Sequence, residues 1–303
     1  MGKVLVVGSA ALDSIKTPKA SKPKLLGGAA CYASVAASFY TSTSIVAVIG
    51  DDFPRKYVDL LKKHKIDQTD LRREKGKTFY WSGEYEENMN NRKTLCLEMG
   101  VFDDFKPELS PKNRTAPFVL LGNITPELQM HVLEQMEKPL FVLADTMDCH
   151  IKGDPAGLKK LLKKIDCLSL NDSEAKLLTR ENNLLTAAAK LHKMGPKMVI
   201  IKKGEYGAML SCQGKLFLAP AFPLAKPLDP TGAGDTFAGA LIGYIASNAS
   251  TRAEVDRVIR KAILNASAVA AFCCEGFGLQ KITSISKREI RARVAELEKM
   301  IRI

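Results

Sequence analysis

LDPTGAGDTFAGALIGYIAS, residues 228–247, sets a proline, glycines and acids immediately ahead of a run of small and apolar residues. Glycine allows backbone conformations and close approaches that a Cβ forbids. The turn over residues 231–235, TGAGD, can therefore aim successive N–H groups at one anion. The apolar run behind it reads as a helix. Its unpaired first-turn amides and positive dipole end add to that attraction, and phosphate is the natural guest. Gly239 and Gly243 lie one turn apart, so the helix can press closely on a neighbour. A carboxylate beside a bound anion is repelled by it unless it has a task there. Asp235 fits as the base that takes a proton from a hydroxyl attacking the bound phosphoryl group, while the amides stabilise the developing charge. A plain helix N-cap with glycines in a turn would use the same residues.

Outward from this stretch, strand and helix patterns alternate. VLVVG (4–8) is a continuous apolar run of the kind a sheet buried on both faces requires. A small-residue helix over 28–40, a strand over 44–50 and a surface helix over 51–65 follow. Strands over 118–123, 141–145, 167–171 and 198–204 are interleaved with helices over 125–136 and 157–166, and helices over 246–272 and 286–301 close the chain. Ser250 or Thr251 caps the first of that last pair. This order predicts an α/β fold with a mainly parallel sheet and helices on both faces. Residues 72–99 break the pattern. They alternate in β fashion around the polar turn EENMNN (86–91), with Phe79, Tyr80, Trp81 and Tyr85 clustered before it. With residues 12–26 they predict a small antiparallel β lid; a surface hairpin packing its aromatics on the core is the plainer alternative.

Composition bounds the function. The 303 residues are 46% hydrophobic and 26% charged, which is ordinary for a soluble globular protein, and one large domain over 1–303 is expected. No run approaches the length of a membrane helix, and the opening segment lacks a secretory cleavage pattern. Seven cysteines without CxxC spacing predict reduced, buried thiols in a cytoplasmic protein, where the sequons at Asn248 and Asn265 carry no meaning. The net charge of +12 raises nucleic acid as a partner, but the basic residues are spread in pairs along helical polar faces, such as Lys159 and Lys160 or Arg291 and Arg293. A solvated surface with a general attraction for anions is the expectation. The four histidines have no metal spacing and are expected at the surface. The absence of GxxxxGKS/T excludes a P-loop ATPase, and GSAALD (8–13) is not a GxGxxG dinucleotide fingerprint.

DPTGAGDTFAGAL (229–241) closely resembles the C-terminal signature of the ribokinase-like, or PfkB, carbohydrate kinases. GSAALD, GGAACYASVAA (27–37), NDSE (171–174) and IIKKGEYGAML (200–210) follow that family's motifs in its order, so the likeness covers nearly the whole chain. The resemblance implies a ribokinase-like three-layer sandwich with a β lid, and an ATP-dependent, magnesium-requiring kinase acting on an alcohol of a small carbohydrate. A nucleoside kinase of the same fold is the nearest alternative. A catalytically silent regulator binding nucleotide or nucleic acid is a rival from another class, against which the intact Asp235 and NDSE argue.

Matched positions carry implied roles. Asp235 would be the base, with Gly232, Ala233 and Gly234 forming the anion hole. Asp13, Gly27 and Gly28 would meet the acceptor. Lys202, Gly204, Gly207 and Asn265 fall where the family binds nucleotide. Asn171 and Glu174 match an N-x-x-E associated with magnesium, and Asp229 falls where some members bind a monovalent cation such as potassium. Two positions depart from the family: Tyr32 stands where many sugar kinases have asparagine, and Pro230 where threonine is common. The polar groups expected to choose the acceptor are Asp13, Arg92 in the lid, and Asn123 and Asp145, which end predicted strands as ligand-binding groups of open α/β sheets do. Tyr32 offers a flat ring with a hydroxyl tip. Exposed lid edges make a homodimer an expectation.

Overall fold

Successive residues of the first strand point into opposite cores: Val4 and Val6 belong to one hydrophobic cluster, Leu5 and Val7 to another. That is why the run has no polar alternation. The computed structural model describes residues 2–89 and 91–302. The chain enters through β1 (Val4–Val7), β2 (Ala11–Lys16), β3 (Ser21–Gly27) and α1 (Ala29–Ser38), then β4 (Thr43–Ile49), α2 (Arg55–Lys63) and β5 (Ile66–Arg73). A polar excursion holds β6 (Phe79–Tyr85) and β7 (Arg92–Glu98). The middle runs α3 (Pro111–Arg114), β8 (Phe118–Leu121), α4 (Pro126–Gln135), β9 (Phe141–Asp145), α5 (Asp148–Gly153) and α6 (Pro155–Leu162). It continues through β10 (Cys167–Asn171), α7 (Asp172–Thr179), α8 (Leu184–Met194) and β11 (Met198–Lys202). The hairpin β12 (Ala208–Cys212) and β13 (Lys215–Ala219) precedes α9 (Ala233–Asn248), α10 (Arg252–Cys274) and α11 (Lys287–Met300).

The large sheet has the order β13-β12-β11-β10-β9-β8-β1-β4-β5. From β11 to β5 every pairing is parallel, and only β12 runs against the rest, antiparallel to both β11 and β13. Helices α1, α2, α9, α10 and α11 cover one face, and α4 to α8 the other. The mainly parallel, three-layered α/β architecture expected from the alternation is present. Helix α9 lies against α1 as the glycine spacing predicts. A Cβ at Gly239 would collide with the backbone of Ala33, and one at Gly243 with that of Ala37.

The small sheet has the order β3-β2-β6-β7. Its outer pairs are antiparallel, while the inner pair, β2 with β6, runs parallel. Its second segment is shorter than residues 72–99: Arg72 and Arg73 belong to β5 on the edge of the large sheet. Asn90, in the expected turn over 86–91, lies outside the described residues. Helix boundaries also move. Pro54 takes the N-cap position of α2, Asp154 caps α6 by accepting from the Gly157 amide at 2.8 Å, and Thr251 caps α10. All seven cysteines are free; Cys31, Cys167 and Cys273 are buried, Cys149 is exposed and the rest are half-buried. The histidines are half-buried instead of fully exposed, because two are claimed by polar neighbours: His150 by Asn123 and His192 by Ser211, each at 2.8 Å.

Candidate active site

The turn that starts α9 depends on Gly232, whose φ of 74° lies in the left-handed region and whose missing side chain leaves room for the Tyr32 ring. Of the three expected anion-hole amides, two are open. The N–H groups of Gly232 and Gly234 have no partner among the described residues, while that of Ala233 donates to the Pro230 carbonyl at 3.1 Å and closes the turn. Asp235 follows on the first turn of the helix. Burial, with Asp145 nearby, pushes its carboxyl up to about 7, although Lys202 and Arg92 pull the other way. A carboxylate held near neutrality is suited to taking a proton.

Lys202, the last residue of β11, joins the motifs. Its Nζ lies 2.6 Å from Asp145 Oδ2 and 3.2 Å from where a Cβ on Gly234 would stand. Burial alone would weaken its positive charge, but Asp145 and Glu174 outweigh that effect and raise its pKa. Asp145 therefore serves as partner to this lysine. The NDSE segment forms a reciprocal capping box on α7: Asn171 Oδ1 accepts from the Glu174 amide and Glu174 Oε2 from the Asn171 amide, both at 2.7 Å. Burial pushes Glu174 up to about 7. An under-neutralised carboxylate beside Asp145 is chemically suited to a hydrated magnesium ion. Among the described residues no group of three or more His, Cys, Asp or Glu is placed to hold a metal.

On the acceptor side Asp13 is 4% exposed, and its carboxylate fills the space beside Gly27 while the backbone of Gly28 hydrogen-bonds to it. Burial, then the charges of Asp229 and Asp235, push it up to about 8. The strand registers place Leu25, Asp13, Trp81 and Leu97 in one row across the lid. Cross-strand neighbours share a face, so an acid is flanked there by apolar side chains. Ile15 and Tyr85 pack with Phe277 in a cluster that Leu25 and Trp81 also touch, which turns this face toward the body. Tyr85 Oη lies 3.0 Å from Thr231 Oγ1, tying the lid to the signature turn. Arg92 sits opposite Tyr85 on β7, exposed and without a polar partner among the described residues. Tyr32 is buried, and its hydroxyl has no partner among the described residues. Asn123 is drawn off elsewhere: its Oδ1 pairs with His150 and its amide with Met147 Sδ.

A cavity of about 400 Å³ opens on the other side of the signature turn. Lys202, Gly204 and Gly207 line it together with Ala233 and Gly234. Asn265 does not line it. Its amide is held by the Tyr40 hydroxyl at 3.2 Å and the Lys261 carbonyl at 2.9 Å, and Ser267, Ala270, Ala271 and Cys274 supply the wall that α10 presents. Asp229 is fully buried, and its two oxygens accept the Thr231 and Gly278 amides, each at 2.9 Å. Those bonds account for a charge at that depth; a monovalent cation would have to share oxygens already engaged.

Sequence reasoning did not find the opposite wall of the cavity, Ala221 to Leu224 with Pro227, nor the lid residues Asn88 and Met89 that reach its rim. The prolines in PAFPLAKP (220–227) mark an ordered non-repetitive segment, which was the available signal.

Open amides, a carboxylate raised toward neutrality and a part-buried lysine stand together between the lid and an apolar cavity. The sequence model described as pfkB family carbohydrate kinase matches residues 1–286, and the chain belongs to that family. It is an ATP-dependent kinase acting on an alcohol. A cytidine kinase of Thermococcus kodakarensis is 30% identical over 251 residues, covering 80% of this chain and 88% of that protein. The nucleoside kinase of Methanocaldococcus jannaschii superposes with a TM-score of 0.78 at 19% identity, over 98% of this chain and 99% of the other. An Arabidopsis thaliana ribokinase complexed with ribose and ATP gives 0.77 at 23% identity, over 97% and 98%. These two structural likenesses are of fold. No helix among the described residues is long and apolar enough to cross a membrane.

Proposed function

We propose that the chain, acting as one kinase unit, transfers the γ-phosphoryl group of ATP to a primary alcohol of a small sugar or of the sugar in a nucleoside. The observation that carries this is the placement of Asp235, at about 7, beside two open amides and next to Lys202. Asp235 takes the acceptor hydroxyl proton as its oxygen forms a bond to the γ-phosphorus. The bond to the bridging oxygen breaks, and its electron pair leaves on ADP. The amides of Gly232 and Gly234 and the Lys202 ammonium face the developing negative charge. Asn171 and Glu174 would hold magnesium through water, and the ion supplies charge neutralisation along the triphosphate. Asp13 orients the acceptor. The row Leu25–Asp13–Trp81–Leu97, with Leu97 55% exposed, favours an acceptor that carries a flat apolar ring, as a nucleoside does. The similarity to a cytidine kinase supports the same choice.

Seven free thiols support a reducing, cytoplasmic setting. The unpaired outer edge of β7, with Leu95 51% exposed on it, supports pairing of two lids in a homodimer. The test is ADP release with a panel of pentoses, hexoses, deoxy-gluconates and nucleosides. Asp235→Asn is expected to keep nucleotide binding while losing ~10²-fold or more in turnover. Undiminished turnover in that variant would remove the base.

A further inference from the structure

The match to the family ends at residue 286, and α11 begins at Lys287. One side chain of this helix nevertheless packs against Phe222, which lines the 400 Å³ cavity. The Arg293 guanidinium carbon lies 3.3 Å from the centroid of the Phe272 ring and 4.6 Å from that of Phe222. Phe222 belongs to the 220–227 segment and lines the cavity itself; Phe272 is on α10 between Ala271 and Cys274, which line it from the other side. A 2.6 Å ion pair with Glu275, one residue beyond the end of α10, holds the guanidinium in place. Arg293 is only 14% exposed, and its Nη1 is buried without a partner among the described residues.

A planar cation in contact with two aromatic rings is favourable, the more so when shielded from water. An unsatisfied buried N–H costs stability in the opposite sense. The arrangement therefore places a partly strained polar group where a leucine would cover the same rings at less cost. Its distinctive property is that it ties Phe222, a lining residue, to the back of α10, the helix whose opposite side lines the same cavity. The cavity is lined mostly by apolar side chains and backbone, so it can select an occupant chiefly through the separation of those walls.

We propose that Arg293 is a positioning residue for the nucleotide. By clamping Phe222 to Phe272 it sets the width of the slot that receives the base of ATP, and α11 thereby contributes to nucleotide affinity from outside the family match. This rests on the proposed kinase function and on reading the cavity lined by Lys202, Gly204 and Gly207 as the place of its nucleotide. Arg293 touches no reacting atom, so its loss should appear in nucleotide affinity and leave the chemistry alone.

The test compares Arg293→Ala, Arg293→Lys, Phe222→Leu and the double variant Arg293→Ala/Phe222→Leu with the unmodified protein. ATP affinity is read by calorimetry, and KM for each substrate and kcat by ADP release. Arg293→Ala is expected to weaken ATP by about tenfold, with acceptor KM and saturated kcat moving by less than about twofold. Arg293→Lys, which keeps the pairing with Glu275 but not the plane, should recover part of the loss. The two single losses should not add, because both release the same clamp. Unchanged ATP affinity in a folded Arg293→Ala, additive losses, or equal falls in kcat and both affinities would each overturn the proposal. If Arg293→Ala fails to fold, Arg293→Lys is judged by the same split between nucleotide and acceptor. Should the unmodified protein phosphorylate no panel member, the proposed function falls, while calorimetry with ATP still decides whether Arg293 sets this slot.

Discussion

Asp235 carries two opposed demands. It must be ionised to take a proton, yet burial near Asp145 raises its pKa to about 7, and Lys202 and Arg92 limit the rise. The sign for catalysis follows. Below about 7 the carboxyl holds its own proton and cannot accept another, so kcat/KM should fall as pH drops through that value and level off above it. Arg92→Gln removes one of the charges holding the value down and should move this limb to higher pH. A limb in the ordinary carboxylate range near ~4 would contradict the desolvation that raises Asp235. In the sequence Asp235 could be singled out from its neighbouring glycines, and Asp13 and Lys202 through the family resemblance, and the structure brings all three near the signature turn. Asn123 and Asn265 could not be placed in this way. An amide at a strand end or on a helix does not disclose which way it faces, and here His150 and Tyr40 claim them.

Among elements, the contact between α9 and α1 matters most to the site, because α9 carries Asp235 at its first turn. Gly239 lets the helices meet backbone to backbone at Ala33. Gly239→Ala should push α9 off its seat at a cost of ~1–3 kcal/mol in unfolding free energy, with a parallel loss of turnover. Denaturant titration beside kcat measures both, and an unaffected midpoint would show that the helices can separate freely. The buried strands and long helices were legible because both faces of the sheet are covered and their runs are uniformly apolar. β5 escaped notice for the converse reason: IDQTDLRR is an edge strand with only Ile66 and Asp70 buried, so neither alternation nor a continuous apolar run marks it. The hairpin β12–β13 lies at the opposite edge, where β13 is largely exposed. The lid's existence was legible from its aromatics, but its parallel inner pairing depends on stretches more than fifty residues apart and left no local mark.

For the whole molecule, the lid meets the signature turn through Tyr85 and Thr231, and its tip contributes Asn88 and Met89 to the lining of the cavity. In the proposed reaction, closure over the acceptor and enclosure of the nucleotide would thereby be joined in one body. Tyr85→Phe removes that tie without emptying the apolar cluster around it. A hydrogen bond worth ~0.5–1.5 kcal/mol corresponds to a rise of up to about tenfold in acceptor KM. ADP released in the absence of acceptor should increase as well, since water gains access to the phosphoryl group. Tight coupling of ADP to phosphorylated product in that variant would show that the lid closes without this contact.

The mixed lid has one more implication. Because β2 and β6 lie side by side in it while the chain between them builds α1, β4, α2 and β5, no single excision removes the lid and no single insertion supplies it. An engineer seeking to transplant the acceptor preference of one such kinase onto another must exchange two separate gene segments together, and recombination that moves only one leaves both halves of the seam mismatched.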